Sequence, residues 1–148
     1  MSYQERRAIV SLLNTILIAV FFFAYLLPRY PAGNAYSADV FHFWGSAVVI
    51  SIPVSIAINI AVGIAFSIAY AMVTREKERP LTDERDHLIE LRDLRITVYL
   101  FTAGFFLAML SLVFDMPPSV MFIILMVSGY VAGIVGYISQ IYFYRRGF

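Results

Sequence analysis

The sequence predicts an all-α integral membrane protein, a bundle of four spanning helices. Three observations predict it. Of 148 residues, 61% are apolar and only 14% are charged, against roughly 25% charged and about 45–50% apolar in soluble domains. The apolar residues gather into four long runs, and almost all the basic residues lie outside those runs on one side. A water-soluble domain of this size lacks the polar surface to cover such a composition. Disordered, collagen-like and nucleic-acid-binding chains are excluded with it. The net charge of +1 gives no reason to expect direct nucleic-acid binding. Cysteine is absent, which removes disulfides, thiolate metal sites and cysteine nucleophiles.

The chain reads as one transmembrane domain over residues 1–148, with spans at about 8–27, 38–73, 96–114 and 119–144. A crossing needs about 20 apolar residues. Span one has that length, and it ends in Leu26-Leu27-Pro28-Arg29 with no small-residue cleavage site after it. A removable signal peptide is therefore not expected. Span two is long: about 36 helical residues reach roughly 54 Å. Ser51-Ile52-Pro53 is too apolar to turn the chain within the bilayer, so one helix is expected, kinked at Pro53 where proline removes a donor and crowds the preceding turn. Ser37 suits its N-cap, and Asp39 in the first turn suits the helix dipole. Spans three and four are joined by Asp115-Met116-Pro117-Pro118, a tight turn whose prolines fit the start of a helix.

Basic residues give the orientation. Arg6 and Arg7 precede span one, Arg75, Lys77, Arg79, Arg85, Arg92 and Arg95 separate spans two and three, and Arg145 and Arg146 follow span four. Only Arg29 lies opposite. The positive-inside rule makes both termini and the 74–95 connection cytoplasmic, in a multi-pass membrane protein; the resemblance given below implies a prokaryotic inner membrane. Tyr25, Tyr30, Tyr36, Phe41, Phe43 and Trp44 form an expected outer aromatic belt, and Tyr70, Tyr99, Tyr142 and Tyr144 an inner one.

The connection, residues 74–95, concentrates the polar chemistry. Pro80 ends the helix leaving span two, and Thr82 suits an N-cap with Asp83 and Glu84 in the first turn. Leu88, Leu91 and Leu94 recur at helical spacing, while Asp83, Asp86, His87, Glu90 and Asp93 share another face. This helix is expected to run unbroken into span three. Three functions fit the acidic face: a solvated surface, which is the commonest meaning of such a charge run; a docking site for a soluble protein through Asp83, Glu84, Arg85, Asp86, Glu90 and Asp93; or a metal site through Asp83, His87 and Glu90. HExxH is missing and Glu84 with His87 is a single Glu-x-x-His pair rather than the two that di-metal bundles use, so no metal or other cofactor is assigned.

Within the bilayer, Asn14, Asn59 and Gln140 are the main polar candidates. Each has a structural reading as an interhelical hydrogen bond and a functional one as a solute contact. At the outer boundary Asp39 and His42 are close on one helix, and an external pH sensor competes there with an ordinary interfacial histidine. Small residues recur every four positions in span two at Ala57, Ala61, Ala65 and Ala69, with a second row at Asn59, Gly63, Ser67 and Ala71. In span four Gly129 and Gly133 lie beside Ser128, Ala132 and Gly136. Such rows let helices approach closely, within one chain or in a homodimer through spans two and four.

The four spans together with Thr82-Asp83-Glu84-Arg85-Asp86 and Ile89 resemble a family of small prokaryotic membrane proteins catalogued as a domain of unknown function. The resemblance implies a multi-span protein without an established activity, in some cases encoded beside helix-turn-helix regulators, and it transfers no catalytic residue. The expected function is a regulatory or interaction module whose helix 83–95 docks a soluble cytoplasmic partner. The alternative is a small oligomeric transporter or channel subunit. Small multidrug transporters also have four spans, but their membrane-embedded glutamate in the first helix has no counterpart here, Asn14 being the nearest polar residue. Enzymatic activity ranks last, for lack of a nucleophile–base pair or a phosphate loop.

Overall fold

The computed structural model describes residues 3–31, 34–74 and 84–146. Those residues form four long helices and no strand: α1 (Tyr3–Leu26), α2 (Ala38–Thr74), α3 (Glu84–Val113) and α4 (Pro118–Arg146), with one 3-10 turn at Leu27–Arg29. All four are long and apolar enough to cross a membrane. The chain is a multi-pass helical membrane protein.

Span two is a single helix of 37 residues with Pro53 inside it. The 3.6-residue pattern of 84–95 continues without a break into span three, giving one helix of 30 residues. Helix α1 begins at Tyr3, five residues before the apolar run. The expected cap at Thr82 and the first acidic residue, Asp83, lie outside the described residues.

Successive helices run antiparallel. At one end Glu5 pairs with Arg145 at 2.7 Å, and the Tyr3 hydroxyl lies 2.9 Å from Ser67 Oγ. That end therefore gathers the start of α1, the end of α2, the start of α3 and the end of α4, and with them Arg6, Arg7, Arg92, Arg95, Arg145 and Arg146. At the other end Leu26, Val40, Trp44, Ala47 and Met126 form the main apolar core, with Phe22, Phe43 and Phe122 packed against it. The α3–α4 turn closes there. Met116 N–H bonds to Ser111 O and Asp115 N–H to Leu112 O, a Schellman arrangement with Asp115 in the left-handed position at φ 54°. Aspartate tolerates that conformation better than most residues with a side chain.

The four helices do not form a closed square. Helix α4 touches each of the others, α1 also packs on α2, and α3 packs on α4 alone. The α3–α4 seam is lined by small residues. A methyl group on Gly104 would collide with the Ser128 side chain, and Ala108, Ser111 and Ala132 are buried beside it. Lipid gives helices little hydrophobic reason to associate, so close van der Waals packing of this kind has to hold the pair.

A cleft between α1, α2 and α4

Helix α2 changes character along its length. Its first half turns Val40, Trp44, Ala47 and Ser51 inward, and all four are buried, Val40 and Trp44 at 0% and 1% exposure. From Ile52 to Val73 no residue is buried. The inward positions there are Ser55, Asn59, Gly63, Phe66 and Tyr70, spaced as one helix face. Short polar side chains and a glycine cannot fill the space that a tryptophan fills above them. A methyl group on Gly63 would meet nothing within 4 Å.

The result is a cleft in three adjoining parts. An apolar inner part of about 410 Å³ lies between α1, α2 and α4, walled by Ile18, Val48, Ile52 and Met126 and by Phe101 of α3, with Ser51, Ser55 and Asn59 on one side. A second part of about 700 Å³ shares Ser55, Ile56, Asn59 and Tyr137 with the first, and continues past Ser11, Gly63 and Ser67 to Arg7. The third, about 170 Å³ and mainly polar, shares Arg7, Ser11 and Tyr137, and is completed by Gln4, Glu90, Gln140 and Tyr144. The lining thus grades from charged at the arginine-rich end to apolar at the middle of the helices. Volumes of this size suit small-molecule ligands, whose sites are mostly apolar with a few placed polar groups.

Asn59 sits where the first two parts meet. It accepts a hydrogen bond from Asn14 Nδ2 at 2.9 Å and donates one to Ser55 O at 2.8 Å. Because α1 extends back to Tyr3, Asn14 is at the middle of its helix rather than near an end. The pair is an interhelical bond and also fixes the Asn59 amide on the cleft wall. Such bonds contribute about 0.6 kcal/mol on average in membranes, with a maximum of roughly 1.7 kcal/mol. Nearby, the Tyr130 hydroxyl is buried without a hydrogen-bond partner among the described residues, on the wall of the apolar part.

The chain matches no family model, no curated protein and no solved structure. What the cleft can do therefore follows from its own geometry.

The acidic face of α3 is split by the packing. Ile89 is buried, Asp86 and Asp93 are half-buried on the same stripe, and Glu84, His87 and Glu90 are exposed. Asp93 is drawn into the seam with α4, where it accepts a hydrogen bond from Gln140 Nε2 at 2.6 Å and lies 3.5 Å from Thr97 Oγ1. Gly136 makes the room, since a methyl group there would strike the Asp93 carboxylate and come within 2.6 Å of Thr97 Oγ1. Gln140, expected as an intramembrane polar residue with either an interhelical hydrogen bond or a solute contact, is thus the partner of an expected docking residue. Nothing in the spacing along either helix announces that pairing.

Leu88, Leu91 and Leu94 point outward, 60%, 47% and 59% exposed. Arg85 lies in the first turn of α3, and Asp83 is outside the described residues. No three acidic or histidine side chains are close enough to hold a metal ion among the described residues. The small residues of span four face their own chain: Gly133 approaches Thr15, and Gly136 seats Asp93. In span two the row Ala57, Ala61, Ala65 and Ala69 is exposed.

Proposed function

We propose that the chain is a membrane-embedded carrier subunit that takes a small amphiphilic molecule into the cleft between α1, α2 and α4. One observation supports this above all: the cleft runs from a charged rim at the arginine-rich end to an apolar pocket at mid-helix, with Asn59 held at the junction. A polar head and an apolar body find matching walls along its length. The reading requires no catalytic residue. The positive-inside rule puts the charged rim, both termini and the 74–95 connection in the cytoplasm, and the resemblance noted above favours a prokaryotic inner membrane.

Leaflet exchange tests the reading. Proteoliposomes holding the wild type should move a fluorescent single-chain amphiphile between leaflets faster than protein-free vesicles. Ser55→Phe, which places a ring in the cleft, should abolish the difference. Equal rates with and without protein would contradict the proposal.

A second reading, docking of a soluble cytoplasmic protein on the first turns of α3, is supported by the outward exposure of His87, Leu88, Leu91 and Leu94. Asp93 is withdrawn from such a surface by Gln140. Leu91→Glu, with the partner captured by the wild type and lost by the variant, would test it.

A further inference from the structure

We infer that the occupant of this cleft is a zwitterionic phospholipid, its ammonium and phosphate groups received by Glu90 and Arg7 in the polar rim pocket. The inference rests on the cleft reading above and narrows it to one ligand class.

Arg7 on α1 and Glu90 on α3 line the same polar pocket of about 170 Å³, across Tyr137 and Gln140 of α4. Despite that shared pocket, the two make no ion pair with each other or with any other described residue. A few residues away the chain does form such a pair, Glu5 with Arg145 at 2.7 Å. The pocket therefore presents one cationic and one anionic side chain that do not pair with each other, with amide and phenol groups in the same lining.

A head group carrying both charges answers both side chains, and guanidinium with phosphate is a favoured pairing. A purely anionic head would satisfy Arg7 but face Glu90, with Asp93 one turn further along the same helix. An uncharged head would leave both charges unanswered. The tail has a continuous route, because Arg7, Ser11 and Tyr137 also bound the next part of the cleft, which leads past Asn59 to the apolar pocket. The bilayer is the source. Along the middle part of the cleft α2 has no buried residue and no α3 residue lines it, so a chain can enter there sideways from lipid.

Native mass spectrometry on the intact protein, released from dodecyl maltoside, tests the assignment with three lysolipids of equal chain length. Lysophosphatidylethanolamine is zwitterionic, lysophosphatidylglycerol anionic and monoacylglycerol uncharged. The wild type should retain the zwitterion about tenfold more tightly than either of the others. Arg7→Gln should weaken the zwitterion and the anion. Glu90→Gln should weaken the zwitterion and strengthen the anion, a reversal that loss of fold cannot produce. Ser55→Phe should weaken all three. Tighter retention of the anion than of the zwitterion by the wild type would overturn the inference, as would an unchanged order in Glu90→Gln. Equal retention of the three heads, all lost in Ser55→Phe, would overturn the head-group assignment and leave the cleft reading standing. Retention of none by the wild type would overturn both.

Discussion

The two halves of α2 belong to one continuous apolar helix, yet they pack in opposite ways. From Val40 to Ser51 the inward side chains fill the space between α1 and α4, and Trp44 is almost wholly buried. From Ser55 to Tyr70 the inward face is small or polar at three of its positions, and α2 stands away from α4 with a cleft between them. Being apolar is enough to place a helix in a bilayer. Which half is tight depends on volume at the facing positions, since neighbouring helices gain little from burying apolar surface that lipid would cover as well. The tight half anchors the helix and leaves the other half free to form a binding wall.

Substitutions can break or sharpen this contrast. The largest effect is expected at the anchor. Trp44→Ala should cost about 3 kcal/mol, the lower end for loss of a large core side chain, because the packing loss persists in lipid while the transfer gain is muted. Unfolding in mixed detergent micelles measures it, and a loss below that of cleft variants would erase the distinction between the halves. Next comes the α3–α4 seam, where Gly136→Leu must displace the Asp93 carboxylate and Thr97. Overpacking of this kind costs about 1–3 kcal/mol, and the same titration should show it with α2 unaffected. In the open half, a double-mutant cycle between Asn14→Leu and Asn59→Leu should give a coupling of about 0.6 kcal/mol, and no more than roughly 1.7 kcal/mol. Gly63→Ala should be the mildest, within about 0.5 kcal/mol of wild type, because nothing lies near the added methyl group. A large destabilisation there would mean that the cleft is closed.

Much of the fold was legible in the sequence because it follows from hydropathy and charge along one dimension. The four spans, the single long second helix and the fusion of the 84–95 segment with span three all follow from run length, the missing polar turn at Ser51-Ile52-Pro53 and the unbroken helical period. The site was legible only in its parts. Asn59 and Gln140 stand out as polar residues in apolar runs, but their partners, Asn14 and Asp93, depend on how helices distant in sequence are rotated against one another. The small-residue row of span four signals close approach without saying to what. Its Gly136 serves to seat a carboxylate, and Gly104, across the seam from Ser128, lies in a span where no such row directs attention to it. Arg7 stands out in the sequence only as an orienting charge and Glu90 only as a docking or metal candidate; that they share one pocket depends on three helices and has no signal along the chain.

Water access to the cleft tests the central claim most directly, and the absence of cysteine in the chain makes the measurement clean. Single cysteines are placed at Ser55, inside the cleft, and at Ala57, on the exposed outer face of the same turn of α2. Each protein is reconstituted into vesicles and treated with a membrane-impermeant thiol reagent from the arginine-rich side. Rapid modification of Ser55→Cys with Ala57→Cys protected by lipid is the predicted result, and prior loading with an amphiphile should slow the first. Equal protection of both would contradict a cleft that opens from that side into the membrane.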